Sequence, residues 1–268
     1  ANKLGKDEEA LANPYTDAVG QKYSNIFDYL LSGKKSVRAV WTPGLTQDMY
    51  ERTVNIDYRL LSERCKKICA LFENAKSVKV TSPAGTDFTV CVEGRKALTD
   101  DGDFTKPGTG GNVPSGEVFI SPVVGKSSGV IVFDGSMTFS DGDAMLETPI
   151  RATVKDGFVT DIQGDKEAKR LLKDITAAEK QSATDEYRRN ARNIGELGIG
   201  LNPAANITGN MLEDEKAFRT CHFAIGENYD GDAPALIHFD GIVCSPTIEI
   251  EYPDGTSFVL LEKGDLKI

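Results

Sequence analysis

The segment PIRATVKDGFVTDIQG, residues 149–164, constrains the fold more than any other part of the sequence. Apolar and polar residues alternate on both sides of Asp156-Gly157, and such a pair between alternating segments is typical of a two-residue β-hairpin turn. Two further segments alternate around a turn, SVKVTSPAGTDFTVCVEG at 77–94 and TIEIEYPDGTSFVLLEKG at 247–264. We therefore expect a strand-rich chain with several antiparallel hairpins.

Helical patterns are fewer. Apolar residues recur every three to four positions in 46–75, which predicts an amphipathic helix, and further helices are predicted at about 165–180 and 184–194. Strands and helices in this mixture indicate an α+β (mixed α/β) fold. We expect residues 1–40 to form an N-terminal lead-in and residues 41–268 to form one domain.

Composition excludes several classes of protein. The 31 Lys and Arg residues against 41 Asp and Glu residues give a net charge of −10, which repels nucleic-acid phosphates and anionic lipids. No segment approaches the roughly 20 apolar residues that cross a bilayer, and the N-terminus lacks a signal-peptide core. The five cysteines are scattered and odd in number, which argues against a disulfide framework. We expect a cytoplasmic protein that binds neither nucleic acid nor membrane.

The chain has only two histidines, and both occur in apolar, strand-like segments. His222 lies in TCHFAIG, and His238 lies in ALIHFDGIV two residues before Asp240, so that His238 and Asp240 share one face of a strand. Glu117 follows the glycine-rich loop GTGGNVPSG, and Glu196 lies in GELGIG. An ionised carboxylate in apolar surroundings is costly unless it is paired or binds a metal.

Two imidazoles with three carboxylates form a ligand set that suits zinc, cobalt or manganese. Two such ions with a bridging carboxylate and a water would form a hydrolytic site. Each residue taken singly has a structural interpretation, as a hydrogen-bonded core histidine or a turn partner, and the spacing matches no short metal motif. The residues alone therefore predict a candidate metal site. We expect the loop 94–116 to shape it, and LEDEK, residues 212–216, to be a solvated helical turn with a minor chance that one acid assists catalysis.

Several blocks of the sequence extend this prediction from about residue 42 to residue 240. They are PGLTQDMYERTV, VKVTSPAGTDFTV, GNVPSGEVFISP, GVIVFDGSM, ELGIGLNPAANITGNMLEDEK, HFAIG and IHFD. In this order they resemble the aminopeptidase T / aminopeptidase S family of metallopeptidases, the thermophilic aminopeptidases. The resemblance implies a strand-rich metallopeptidase catalytic domain with flanking helices, most of the N-terminal α/β domain of the family being absent.

The resemblance also implies a function. Family members bind two divalent metal ions through two glutamates, two histidines and an aspartate, which correspond here to Glu117, Glu196, His222, His238 and Asp240. Glu196 is further expected to be catalytic, together with Tyr229, seven residues beyond His222, as a donor to the tetrahedral intermediate. The prediction is a metalloaminopeptidase that hydrolyses N-terminal residues from peptides and forms a homodimer. His222 and His238 are closer in sequence than the family leads us to expect, so the wall of the pocket is expected to differ.

Two alternatives remain open. The same fold family contains a mononuclear iron dioxygenase that cleaves the ring of dihydroxypyridine and keeps a histidine and aspartate pair. A 2-His-1-carboxylate iron site needs one carboxylate, whereas this chain offers three, and this count favours the dinuclear hydrolase. The third possibility is a non-catalytic binding protein that descends from the enzyme.

Overall fold

The structure, a computed structural model, describes residues 13–268. Residues 1–12 of the predicted lead-in lie outside the described residues. The strands, in chain order, are β1 (Tyr15–Thr16), β2 (Lys22–Tyr23), β3 (Ala39–Trp41), β4 (Ser77–Thr81), β5 (Asp87–Cys91), β6 (Leu98–Asp100), β7 (Gly110–Asn112), β8 (Glu117–Ile120), β9 (Ser128–Phe133), β10 (Ser136–Phe139), β11 (Gly142–Met145), β12 (Ile150–Lys155), β13 (Phe158–Gln163), β14 (Ile194–Gly200), β15 (Thr220–Gly226), β16 (His238–Cys244), β17 (Thr247–Glu251), β18 (Ser257–Glu262) and β19 (Asp265–Leu266).

The described residues contain fewer helices than strands, and two of the helices are long, with 15 and 16 residues. The helices are α1 (Ile26–Asp28), which continues into a π-helical turn at Tyr29–Gly33, α2 (Gln47–Thr53), α3 (Tyr58–Phe72), α4 (Lys166–Gln181), α5 (Asp185–Asn190) and α6 (Met211–Asp214). Within residues 13–268 no helix is both long enough and apolar enough to span a bilayer. The strand-rich α+β architecture that the sequence predicts is confirmed.

Two antiparallel sheets form the body of the described chain. The site sheet has seven strands in the order β11-β10-β16-β15-β14-β8-β6, and the back sheet has eight in the order β13-β12-β9-β5-β4-β17-β18-β19. Phe88 of β5 contacts Phe223 of β15 edge to face, with ring centroids 5.3 Å apart. The apolar faces of the two sheets therefore pack against each other and form the main core.

Helix α3 supports the edge of the site sheet at β6 and β8. Its buried residues, Leu61, Cys65, Ile68 and Phe72, recur at helical spacing and join the main core. Burial of such a stripe stabilises the fold by about 25 cal/mol for each Å² of apolar surface removed from water. The packing fixes β8, which carries Glu117, against the rest of the sheet.

The three predicted hairpins are confirmed as β4–β5, β12–β13 and β17–β18. The β12–β13 turn has positive φ angles at both Asp156 (50°) and Gly157 (79°), as a type I′ turn requires. The predicted loop 94–116 differs, because it contains the short strands β6 and β7. Strand β7 pairs in parallel with β3, which lies next to the predicted boundary at residue 40.

The helical predictions need correction at their ends. The continuous helix predicted over 46–75 is divided into α2 and α3, because the Asp57 side chain accepts the Leu60 N–H at 3.0 Å and caps a new helix. The cap residue adopts an extended conformation that cannot continue α2. The helix predicted over 184–194 ends earlier, at Asn190, and β14 begins at Ile194.

Candidate metal centre

Strand pairing brings the five predicted ligands to one face of the site sheet. Residues paired in register across a sheet point to the same side. The five residues share one feature, a small pairing partner: Glu117 pairs with Gly200, His222 with Gly198, His238 with Gly226, and both Glu196 and Asp240 with Ala224. The alternate residues of these strands, such as Leu197 and Phe223, face the main core.

The glycine that pairs with His222 provides the space that the imidazole occupies. A Cβ atom at Gly198 would lie 2.0 Å from Nε2 of His222 and 2.1 Å from its Cε1. Real Cβ atoms do not approach another atom so closely, so His222 can lie over the sheet only because residue 198 is glycine.

The side-chain atoms of the cluster lie close together around Glu196. Nε2 of His222 is 3.1 Å from Oε1 of Glu196 and 3.4 Å from Oε2 of Glu117. Nε2 of His238 is 3.5 Å from Oε2 of Glu196 and 3.3 Å from Oδ1 of Asp240. Two overlapping groups result, Glu117–Glu196–His222 and Glu196–His238–Asp240, and Glu196 belongs to both.

A hydrogen bond at Nδ1, the ring nitrogen that faces away from the carboxylates, sets the orientation of His238. Its Nδ1 lies 2.9 Å from the backbone carbonyl oxygen of Glu227, to which an Nδ1–H donates. With Nδ1 bonded there, Nε2 is the ring nitrogen that faces the carboxylates. A backbone acceptor of this kind is the usual support of a metal-binding histidine.

The electrostatic environment of the cluster is strongly negative. Burial alone would lower the pKa of His222, but the hydrogen bond with Glu196 and the charge of Glu117 raise this pKa to about 9. Burial likewise opposes charge on His238, yet Asp240 raises the pKa of His238 well above its usual value. Burial would raise the pKa of Glu196, and the hydrogen bond with His222 instead lowers it. Such a potential attracts a cation.

The unsatisfied polar atoms of the cluster test whether a cation fits. Oε2 of Glu117, Oε2 of Glu196 and Oδ1 of Asp240 are buried and make no hydrogen bond within the described part of the chain. Buried carboxylate oxygens normally have a donor or a metal as partner. Donors bound to one first-row metal at about 2.1 Å lie about 3.0 to 3.4 Å apart, close to the separations observed here. The donor set therefore fits a divalent cation.

A buried charged group beside the cluster is missed by the sequence analysis. Lys216 is fully buried, and its Nζ lies 2.7 Å from Oε1 of Glu117, 3.7 Å from Oδ2 of Asp100 and in contact with Glu215. Burial raises the pKa of Asp100 to about 7, and the charge of Lys216 opposes this shift. The helical turn predicted within LEDEK, residues 212–216, is present, but the prediction that it is solvated is wrong. Most of its side chains are buried beside the cluster, and Leu212 and Glu215 line the cavity described below.

Backbone and side-chain hydrogen bonds hold that segment in place. Asp214 accepts from the hydroxyl of Ser136 at 2.6 Å and from the N–H groups of Thr208 at 2.6 Å and Gly209 at 2.9 Å. Nδ2 of Asn202 donates to backbone carbonyls on both sides, at Thr53 and Ser115. The anchored segment fixes the position from which Lys216 reaches Glu117.

A cavity of about 360 Å³ opens above the cluster. Its lining combines four residues of the cluster, several polar residues and a few apolar ones, namely Glu117, Glu196, His238, Asp240, Asn112, Thr138, Asp143, Glu215, Pro43, Met211, Leu212 and Tyr229. Asn112 belongs to the predicted loop 94–116, so that loop does shape the cavity. His222 does not line it and lies below the other ligands, with no exposed surface.

Tyr229 lies at the mouth of this cavity and is 61% exposed. Its ring contacts Phe119, with centroids 5.0 Å apart, and meets the His238 ring edge to face at 5.5 Å. The side chain therefore forms an aromatic wall next to the cluster.

Comparison with known proteins shows a family match, a curated relative and similar solved structures. A family model described as 2,5-dihydroxypyridine 5,6-dioxygenase (NicX) matches residues 48–250. The curated 2,5-dihydroxypyridine 5,6-dioxygenase of Pseudomonas putida is 29% identical over 146 residues, which cover 54% of this chain and 39% of the relative. The solved 2,5-dihydroxypyridine dioxygenase of Pseudomonas putida matches with a TM-score of 0.70 at 22% identity, covering 87% of this chain and 66% of that chain. Wild-type AmpT from Thermus thermophilus matches with a TM-score of 0.64 at 20% identity, covering 84% of this chain and 61% of that chain.

These findings correct the predicted function. The prediction of a metalloaminopeptidase, a peptide hydrolase, is wrong, because the family model and the curated relative are both described as a dioxygenase, which is an oxidoreductase. The similarity to AmpT supports the predicted fold relation to aminopeptidase T and nothing about the reaction. The predicted role of Tyr229, as a donor to the tetrahedral intermediate of peptide hydrolysis, therefore no longer applies.

The cofactor prediction is supported in its general form. Both the dioxygenase family and the grouped side chains indicate a metal cofactor, whereas the predicted pair of zinc, cobalt or manganese ions is not confirmed. The roles of the five ligands, the boundary at residue 40 and the homodimer stay predictions.

Proposed function

We propose that this chain, which belongs to the 2,5-dihydroxypyridine 5,6-dioxygenase family, is a ferrous-iron dioxygenase that opens a dihydroxylated pyridine ring. The observation that carries the proposal is the extent of the family match, residues 48–250, which includes all five members of the buried cluster. The chain spans 39% of the curated relative and 66% of the solved dioxygenase, so its activity is a proposal drawn from this shared part.

We assign the iron to the cluster around Glu196. Glu196 has one oxygen near each imidazole. Its Oε1 lies 3.1 Å from Nε2 of His222, and its Oε2 lies 3.5 Å from Nε2 of His238. Two histidines and one carboxylate form the set that holds non-haem ferrous iron in oxygenases. Here the two histidines belong to different groups, Glu117–Glu196–His222 and Glu196–His238–Asp240, which share Glu196. Glu117 and Asp240, one in each group, would help to hold the ion. When bound, the ferrous ion supplies the redox chemistry that allows a ring substrate to react with dioxygen.

The cavity walls suit a small planar ring. The Tyr229 ring and the apolar side chains of Met211 and Leu212 offer surfaces for the faces of the ring. The Thr138 hydroxyl donates to Oδ1 of Asp143 at 2.9 Å, so the Thr138 oxygen is left to accept a hydrogen bond. A ring hydroxyl or a ring N–H supplies that donor. These contacts orient the substrate over the cluster and displace water from it.

The test is oxygen consumption by the metal-loaded protein. The chain is stripped with a chelator, reloaded without oxygen with ferrous iron or with zinc, and mixed with 2,5-dihydroxypyridine. We expect the iron-loaded protein alone to consume dioxygen, and both atoms of oxygen-18 gas to appear in the ring-opened product. His238→Ala serves as the variant expected to lose this activity. An iron-loaded protein that consumes no oxygen with a panel of dihydroxylated pyridines would contradict the proposal.

A second prediction concerns the loop that carries Tyr229. The Arg95 guanidinium, whose side chain is 14% exposed, lies 3.2 Å from Oδ2 of Asp230 and 2.8 Å from Oδ2 of Asp232. Arg95→Ala removes both ion pairs and frees the loop. We expect KM for the pyridine substrate to rise about 5-fold, since about 1 kcal/mol of binding energy corresponds to such a factor. The value of kcat is expected to stay within about twofold, because the ligands of the iron do not contact Arg95.

Steady-state kinetics check this prediction against a matched variant. Arg188→Ala removes an exposed pair with Asp185 on helix α5 and is expected to change neither constant. A fall in kcat at unchanged KM in Arg95→Ala would show that the loop does not position the substrate.

A further inference from the structure

Lys216 is the most unusual charged residue near the candidate metal centre. It lies in the chain between helix α6 and strand β15, and its side chain is completely buried, at 0% exposure. A buried ammonium group is costly unless carboxylates surround it. Glu117, Glu215 and Asp100 supply this surrounding, and Glu117 makes a well-formed contact, with Nζ to Oε1 at 2.7 Å.

The two oxygens of Glu117 therefore have different neighbours. Oε1 accepts from Lys216, whereas Oε2 is buried, makes no hydrogen bond among residues 13–268, and lies 3.4 Å from Nε2 of His222. A carboxylate that is fixed at one oxygen can present only the other to a cation. Rotation about the last side-chain bond of Glu117 would otherwise be free over a broad range.

We propose that Lys216 is a positioning residue of the metal centre, which holds Glu117 by Oε1 so that Oε2 is presented to the cation beside His222. The inference rests on the metal centre of the proposed function. The role that it assigns to Lys216 is to orient the carboxylate of Glu117. Outer partners of this kind orient the ligands of a metal, and their removal typically lowers metal affinity about 10- to 100-fold.

Charge compensation is the rival role for Lys216, and the neighbouring Glu215 allows the two roles to be separated. Lys216→Met removes the hydrogen bond to Glu117 and also leaves a buried negative charge without a partner. The double variant Lys216→Met/Glu215→Gln removes one basic and one acidic side chain together, so the balance of basic and acidic groups in the cluster is unchanged. The double variant still lacks the contact that fixes Oε1 of Glu117.

The experiment uses cobalt(II) as the probe, bound to the chelator-stripped full chain. Affinity is measured by calorimetric titration, the ligand field by the visible absorption of the bound cobalt, and folding by thermal unfolding of the metal-free protein. We expect both variants to bind cobalt about 10- to 100-fold more weakly with a changed spectrum. The double variant is expected to regain most of the thermal stability that the single variant loses. Lys267→Met, which removes the pair with Glu262 at the end of the back sheet, is the control and is expected to leave affinity and spectrum unchanged.

Other outcomes overturn the inference. A folded double variant with the affinity and spectrum of the unmodified chain would show that Lys216 supplies charge alone. An unmodified chain that binds neither cobalt nor iron would overturn the metal centre itself, and the inference with it. The two failures are distinguishable, because the first leaves the binding of the unmodified chain intact.

Discussion

Glu196→Ala is expected to remove the metal and the activity together. The two oxygens of Glu196 face His222 and His238, at 3.1 Å and 3.5 Å, and no other described carboxylate lies between both imidazoles. Loss of an outer partner alone typically costs about 10- to 100-fold in metal affinity, so we expect loss of this shared ligand to cost more than about 100-fold. Calorimetric titration with cobalt(II) and elemental analysis of iron-loaded protein measure the effect, and oxygen consumption is expected to fall below detection.

The matched control is a glutamate that is equally buried but lies outside the cluster. Glu167 on helix α4 has this property, and Glu167→Ala is expected to leave metal affinity unchanged. Glu196→Gln keeps the shape of the side chain and removes its charge. Its metal affinity is expected to lie between those of Glu196→Ala and Glu167→Ala. If Glu196→Ala binds as much iron and turns over as fast as the unmodified chain, Glu196 is not the shared ligand.

Gly198→Ala is expected to have an effect of similar size through a single methyl group. The new Cβ would lie 2.0 Å from Nε2 of His222, so the imidazole must leave its position or the two strands must separate. Overpacking of this kind typically destabilises a protein by about 1 to 3 kcal/mol. Because the displaced group is a proposed ligand, we also expect metal affinity to fall by on the order of 100-fold.

A second glycine of the same sheet separates the two effects. Gly241 lies on β16, and a Cβ atom added there would point into the main core. It would lie 2.4 Å from Cδ1 of Phe133 and 2.6 Å from Sδ of Met137. Gly241→Ala is expected to lower the melting temperature in the same way but to keep cobalt affinity once folded. Equal cobalt affinity in Gly198→Ala and the unmodified chain would show that His222 is not a ligand.

Much of the candidate site could be predicted from local sequence. His238 and Asp240 occur two apart in a strand-like segment, and the period of a strand places them on one face. The spacing of small residues after two of the ligands is a further local signal. Glycine or alanine occupies alternate positions after the ligands in Glu196-Leu-Gly-Ile-Gly and His222-Phe-Ala-Ile-Gly. Small residues at that period mark the strand face on which a neighbouring strand places its large polar side chains.

Other parts could not be predicted locally. The charged segment 212–216 has the composition of a solvated turn, and its burial depends on a chain crossing between β14 and β15 that no local pattern encodes. The division of the helix predicted over 46–75 depends on the competition between the apolar spacing and the Asp57 cap. A capping side chain gains its hydrogen bond only when the backbone leaves the helical conformation, and this outcome depends on the packing on either side.

The reaction was the least predictable feature. The number of carboxylates favoured a dinuclear hydrolase, but a count of donors does not say how many bind one ion. The structure shows that Oε1 of Glu117 already has Lys216 as a partner. The same types of ligand serve hydrolases and oxygenases, so the fold and the donor set leave the chemistry open. The match to a dioxygenase family over residues 48–250 contradicts the hydrolase and supports the oxygenase that we propose.

The sequence by itself determined the strand-rich class, the hairpin turns and the identity of the five clustered residues. These properties depend on the period of side chains along a strand and on the φ angles that particular turn residues allow, both of which are local. The tertiary structure alone decided that Glu196 lies between two imidazoles from different strands, that Gly198 makes room for one of them, and that a buried lysine contacts Glu117. Such features depend on the register between strands distant in sequence, which is set by the packing of two whole sheets.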